Sequence, residues 1–166
     1  MANLPVTGVV NLALDLVSAL DVKASTTRCP DENLTELASR IGSTALLLRQ
    51  LYSLLSEDLA YRGTTGEIVG ALKEEGEKAI HNVSAQCEAV YRTVITNFIK
   101  SGRRGRKNKL KAIDIDSTKL KTDIIAYGYI TGWLRPRLKL SLDQLSILRG
   151  KLLVMLQVMN LAKLQV

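Results

Sequence analysis

The last thirty residues, 137–166, constrain this chain more than any other stretch. Apolar residues recur there at Leu138, Leu142, Leu145, Leu152, Leu156 and Met159, with Arg149 as the one break. Steps of three and four residues put them on one side of an α-helix. From Leu152 onward apolar residues take most of the circumference: Leu152, Leu153, Val154, Met155, Leu156, Val158, Met159, Leu161 and Ala162. A helix that is apolar nearly all round needs cover on every side, from other helices or from lipid. The run falls short of the roughly 20 residues of a membrane span. Lys151, Gln157, Asn160 and Lys163 also interrupt it. The pattern therefore predicts a buried C-terminal helix inside a jacket of helices from the same chain.

A chain of 166 residues suits one domain, 1–166, with a core of useful size. At 46% hydrophobic and 23% charged it has the composition of a globular protein rather than a disordered one. One Phe and one Trp leave the apolar load to Leu, Ile, Val and Ala, which favours helix packed on helix. The expected fold class is all-α, a bundle of four to five helices.

A first helix is expected over residues 7–22, capped by Thr7 after Pro5. Val9, Leu12, Leu16 and Ala19 or Leu20 form its stripe, and Val10, Leu14 and Val17 widen it. That stripe reads either as core or as a detachable segment that enters a membrane or a partner's groove. A second helix starts at Asp31 or Asn33 and runs to about Glu57. Its inner positions are Leu34, Leu37, Ile41, Leu48, Leu51 or Tyr52, and Leu55, and Gly42 and Ser43 allow a close neighbour. A third helix opens near Thr65 with a near-heptad stripe: Val69, Leu72, Gly76, Ile80, Val83, Cys87, Val90, Val94 and Phe98. Lys73, Glu74, Glu77, Lys78, Glu88 and Arg92 are expected on its wet side. Ser117 could cap a short helix to about Tyr127, and Pro136 suits the first turn of the final helix.

Charge divides the chain. Residues 1–99 hold 8 Lys and Arg against 12 Asp and Glu, a net −4, while residues 100–166 hold 15 against 4, a net +11. Residues 101–116 are expected to form a basic flexible loop. The cations there and just before are Lys100, Arg103, Arg104, Arg106, Lys107, Lys109 and Lys111. They read either as a solvated loop or as a site that captures anions such as acidic lipid headgroups. Nucleic acid is a weaker partner, because no aromatic residues are interleaved for base stacking.

No cofactor, metal or small-molecule substrate is expected. The chain has no glycine-rich phosphate cradle, no Cys/His set and no nucleophile elbow. Asp114 and Asp116 lack a third ligand nearby. His81, the only histidine, reads as a solvated helix residue. Two cysteines, Cys29 and Cys87, make no disulfide framework and fit a reducing, cytoplasmic setting.

Four stretches resemble a known family. They are VTGVVNLALDLVSAL at the start, PDENLTELASRIG from Pro30, AQCEAVYRTVI from Ala85, and WLRPRLKLSLDQLSILRGKLLVMLQVMNLA from Trp133. Together they resemble the fungal N-terminal helical domains that head NOD-like receptors and other fungal proteins, related to HeLo and HeLo-like domains. The resemblance implies an all-α signalling or effector module followed by another domain. In HeLo-type relatives the first helix is released, enters the plasma membrane and drives cell death. Here that helix has Asp15 within it and no run of spaced glycines.

The resulting expectation is a non-enzymatic module, cytoplasmic or peripheral at the plasma membrane. It would work by self-association or protein docking, with anionic lipid as an additional partner. The alternatives are a membrane-permeabilising effector using Val9, Val10, Leu12, Leu16 and Leu20, and nucleic-acid binding through the basic loop.

Overall fold

The computed structural model describes residues 3–26, 32–60, 67–103 and 132–164. Among these the chain forms four helices and no strand: α1 (Val6–Thr26), α2 (Glu32–Ala60), α3 (Glu67–Arg103) and α4 (Leu134–Leu164). The all-α bundle expected from the residues is the fold observed. The short helix expected at 117–127 lies outside the described residues.

α1 packs on α2 and α3, and α4 packs on the same two helices. α2 and α3 also touch each other, whereas α1 and α4 share no contact among the described residues. The cross-section is therefore a rhombus, with α2 and α3 on its short diagonal and α1 and α4 at its far corners. α2 and α3 run antiparallel: Thr44 meets Tyr91, and further along α2 Leu55 lies beside Gly76.

One hydrophobic cluster joins all four helices. α1 contributes Val9, Leu12, Leu16 and Leu20, and α2 contributes Leu34, Leu37, Ile41, Leu48, Leu51 and Leu55. Between the two candidates on α2, Leu51 is the buried residue and Tyr52 is exposed. Ile80, Val83, Cys87, Val90, Val94 and Phe98 of α3 are all buried, as the near-heptad spacing predicts. Helix α1 starts one residue before the expected cap. The Val9 N–H donates to the Pro5 carbonyl at 3.0 Å, and Thr7 is an exposed first-turn residue. A methyl group on Gly42 would lie 3.9 Å from Val17 of α1, an ordinary contact. The glycine thus permits the approach of α1 without being required by it.

Polar groups inside the core are mostly satisfied. The Thr44 hydroxyl donates to the Ile41 carbonyl at 2.9 Å and lies 2.6 Å from the Tyr91 hydroxyl. With its own proton committed, Thr44 accepts from Tyr91. Glu88 departs from expectation: it is only 5% exposed rather than on the wet side of α3. Its carboxylate accepts from the Arg92 guanidinium at 2.8 Å and from the Leu4 N–H at 3.2 Å. A buried carboxylate needs such partners, and here they tie the chain ahead of α1 to α3. Lys23, 3% exposed, closes α1 with its ammonium 5.7 Å from the centre of the Phe98 ring. A cation in the last turn suits the negative end of the helix dipole.

α4 departs from its expected jacket. Leu134, Leu138, Leu142, Leu145, Leu148 and Leu152 are buried, and Leu156 and Met159 are half-buried against the core. Leu153, Val154, Val158 and Leu161 are exposed. Among the described residues α4 has two helical neighbours, α2 and α3, and they cover one side of it.

Two measurements check this packing. Leu138 is fully buried and Leu140, two residues on, is 58% exposed. Leu138→Ala should lower unfolding free energy by about 2–5 kcal/mol, and Leu140→Ala should change it by less than about 0.5 kcal/mol, both by urea titration. The second concerns alkali. Burial pushes the Cys87 thiol from 9.0 up to about 11 and the Tyr91 hydroxyl well above the ordinary phenol range. A group raised on folding stabilises the native state below its unfolded pKa and loses that as pH climbs through the folded one. Burial lowers the Lys23 ammonium, which works in the opposite sense, favouring the native state as pH rises toward 10.5. Stability followed from pH 9 to 11 should therefore fall more gently in Cys87→Ala than in the parent, the thiol's share being at most about 2–3 kcal/mol.

Candidate functional site

The last helix is held in a fixed roll. At its start the Arg137 guanidinium donates to the Trp133 carbonyl at 2.8 Å and stacks 3.8 Å from the centre of the Trp133 ring. Along its flanks Arg40 of α2 donates to the Ser146 hydroxyl at 2.8 Å, and Lys151 donates to Gln86 of α3 at 3.3 Å. With the leucine stripe from Leu134 to Leu152 inward, the opposite side faces outward.

That outer side is apolar. Leu140, Ile147, Val154 and Leu161 recur every seven residues, with Val158 among them, and each is 58–62% exposed. At about 1.5 Å per residue the stripe is roughly 30 Å long. Lys139 and Lys151 flank it on its two sides, and Asp143 sits within it. In all, α4 carries six basic residues (Arg135, Arg137, Lys139, Arg149, Lys151 and Lys163) against Asp143 alone, a net +5. Gly150 lies at the edge of the stripe, and a methyl group added there would meet nothing within 4 Å.

A second outer face belongs to α1. Asn11, Leu14, Asp15, Ser18, Asp21 and Val22 are exposed and share one side of that helix. Leu14 is 43% and Val22 50% exposed. Both carboxylates of α1 are on this face, and its one cation, Lys23, is buried.

The residues singled out from sequence fare unevenly. Val9, Val10, Leu12, Leu16 and Leu20 all lie in the core. Docking or insertion through them requires α1 to leave the bundle. Lys100 is exposed and Arg103 ends α3. Arg104, Arg106, Lys107, Lys109 and Lys111 lie outside the described residues. His81 is exposed, and no group of three or more His, Cys, Asp or Glu side chains could hold a metal ion among the described residues. The Cys87 thiol is buried and its pKa raised, so it is a poor nucleophile. The Ser84 hydroxyl is the one buried side-chain polar atom without a hydrogen-bond partner among the described residues. Among the described residues no helix is long and apolar enough to cross a membrane.

The exposed stripe of α4 escaped the sequence reading, although its signal was present. Leu140, Ile147, Val154 and Leu161 keep strict seven-residue spacing beside the inner leucines. Two apolar stripes on opposite sides of one helix give the same composition as a helix apolar all round. No family model, curated protein or solved structure matches this chain.

Gly150 gives a direct test of how the isolated molecule uses this face. Mid-helix glycine is less favourable than alanine by about 0.5–1 kcal/mol, and space is open around it. Gly150→Ala should therefore raise the melting temperature of the dilute protein; a lower melting temperature would show an intramolecular role for the glycine.

Proposed function

We propose that this chain is a non-enzymatic interaction module whose docking surface is the outer face of α4. The observation that carries the reading is the exposed stripe of Leu140, Ile147, Val154, Val158 and Leu161. Single exposed leucines are ordinary, but Val154, Val158 and Leu161 adjoin one another at steps of four and three, with Ile147 and Leu140 continuing their line, and such a row marks a surface for contact. Its flanking cations, Lys139 and Lys151, define the chemistry of the partner. A partner helix with apolar residues beside carboxylates fits it, by burial along the stripe and charge complementarity at the edges.

A protein partner suits the face better than lipid does. Asp143 lies in the stripe, where a protein can supply a donor and an acyl chain cannot. The open space at Gly150 allows a helix backbone to come close. A signalling setting, which the resemblance to fungal N-terminal helical domains implies, is a natural use for such a module.

A synthetic helical peptide with a leucine stripe and glutamate flanks serves as the probe, followed by fluorescence anisotropy. The protein should bind it, less tightly as salt rises. A lysine-flanked version should bind at least about tenfold more weakly. Ile147→Ser combined with Val154→Ser should abolish binding. Equal binding by that variant, or no binding of the acidic peptide by the parent, would overturn the reading.

A further inference from the structure

The partner described above has a counterpart on the molecule itself. On the outer face of α1 each exposed apolar residue has a carboxylate as its chain neighbour, Asp15 beside Leu14 and Asp21 beside Val22. Eight residues separate Leu14 from Val22, a distance of about 12 Å along the helix. Ile147 and Val154 on α4 are about 10.5 Å apart by the same rise. The two faces thus match in apolar spacing and oppose in charge.

They cannot meet within one molecule. α2 and α3 lie between α1 and α4, which share no contact among the described residues. Their outer faces look away from each other, on opposite sides of the bundle. Resting on the docking role of α4, we infer that the α4 face of one copy seats on the α1 face of a second copy, so that molecules join head to tail. A symmetric contact of α4 on α4 would bring the flanking Lys139 and Lys151 of both copies together and is disfavoured. A head-to-tail contact leaves one α1 face and one α4 face unused at the ends. Addition therefore continues, into a ring if the rotation closes and into a filament if it does not. A single helix-on-helix contact belongs with small interfaces, below roughly 1,200 Å² in total. Association is accordingly weak and rises with concentration.

Sedimentation velocity of the full chain, from micromolar to millimolar concentration, tests this. Mass should climb past the dimer with concentration and fall with added salt. Leu14→Ser with Val22→Ser should leave a monomer, and so should Ile147→Ser with Val154→Ser; circular dichroism checks that both remain helical. Mixing the two variants joins the intact α4 face of the first to the intact α1 face of the second. The mixture should form a one-to-one dimer and stop there. Asp15→Lys with Asp21→Lys should weaken assembly of the parent sequence by at least about tenfold without removing apolar surface. If the α1-face variant still dimerises by itself, α4 pairs with α4 and the inference falls while the docking role stands. A parent that stays monomeric yet binds the acidic peptide has the same meaning. A monomer that binds no peptide and pellets with phosphatidylserine vesicles overturns both in favour of a lipid surface.

Discussion

The contact between α2 and α3 sets the shape of the molecule. At its centre the Tyr91 hydroxyl meets Thr44, deep in the core, and that pair is satisfied in turn by the Ile41 carbonyl. A buried hydroxyl without a partner costs about 1–3 kcal/mol. Register between α2 and α3 is thus specified by chemistry as well as by shape. Drawing these two helices together forces α1 and α4 apart, to the far corners of the rhombus. Among the described residues a helix at such a corner has two helical neighbours rather than three, and an arc of its surface faces away from both. The exposed apolar residues of both α1 and α4 follow from that position.

The charge division takes on meaning in this frame. The sequence runs from an acidic front to a basic back, and a bundle could have neutralised one with the other internally. The ion pairs Arg40–Glu36, Lys78–Glu74 and Arg92–Glu88 each join residues four apart on one helix. They do not bridge the acidic and basic parts. The first and last helices, α1 with its exposed carboxylates and α4 with its cations, are held on opposite sides instead. Separation of charge across a small molecule favours orientation between molecules, because each end attracts the opposite end of another.

Helix identity was readable from periodicity because four apolar stripes each repeat at three and four residues. Leu34, Leu37, Ile41 and Leu48 on α2, and Ile80 to Phe98 on α3, are buried where the spacing puts them. Depth at single polar positions was not readable. Glu88 looked like one more charge on a wet face, and its burial depends on the Leu4 N–H, 84 residues away in sequence. Lys23 likewise lies just past the helix expected over 7–22, yet it is sealed beside Phe98 in space. The exposed stripe of α4 went unread for a different reason. Periodicity reports which residues share a side of a helix, not how many neighbours that helix has. Only the arrangement of the four helices shows that, among the described residues, the apolar C-terminal run has helices packed on one side.

The residues on the outer face of α4 also argue against a purely structural reading of it. A solvent-facing helix is most stable with alanine, glutamate, lysine or arginine, which keep backbone and side chain unstrained. This face instead holds Ile147, Val154 and Val158, whose branched side chains lose freedom in a helix, and Gly150, which stiffens nothing. Together these four choices cost the free monomer roughly 2 kcal/mol of helix propensity relative to alanine. Nothing inside the bundle recovers it, since the side chains point outward and Gly150 has open space around it. Branched apolar residues with few rotamers lose little further entropy when a surface closes over them. The composition of this face is thus poor for a helix in water and well suited to a helix that becomes covered.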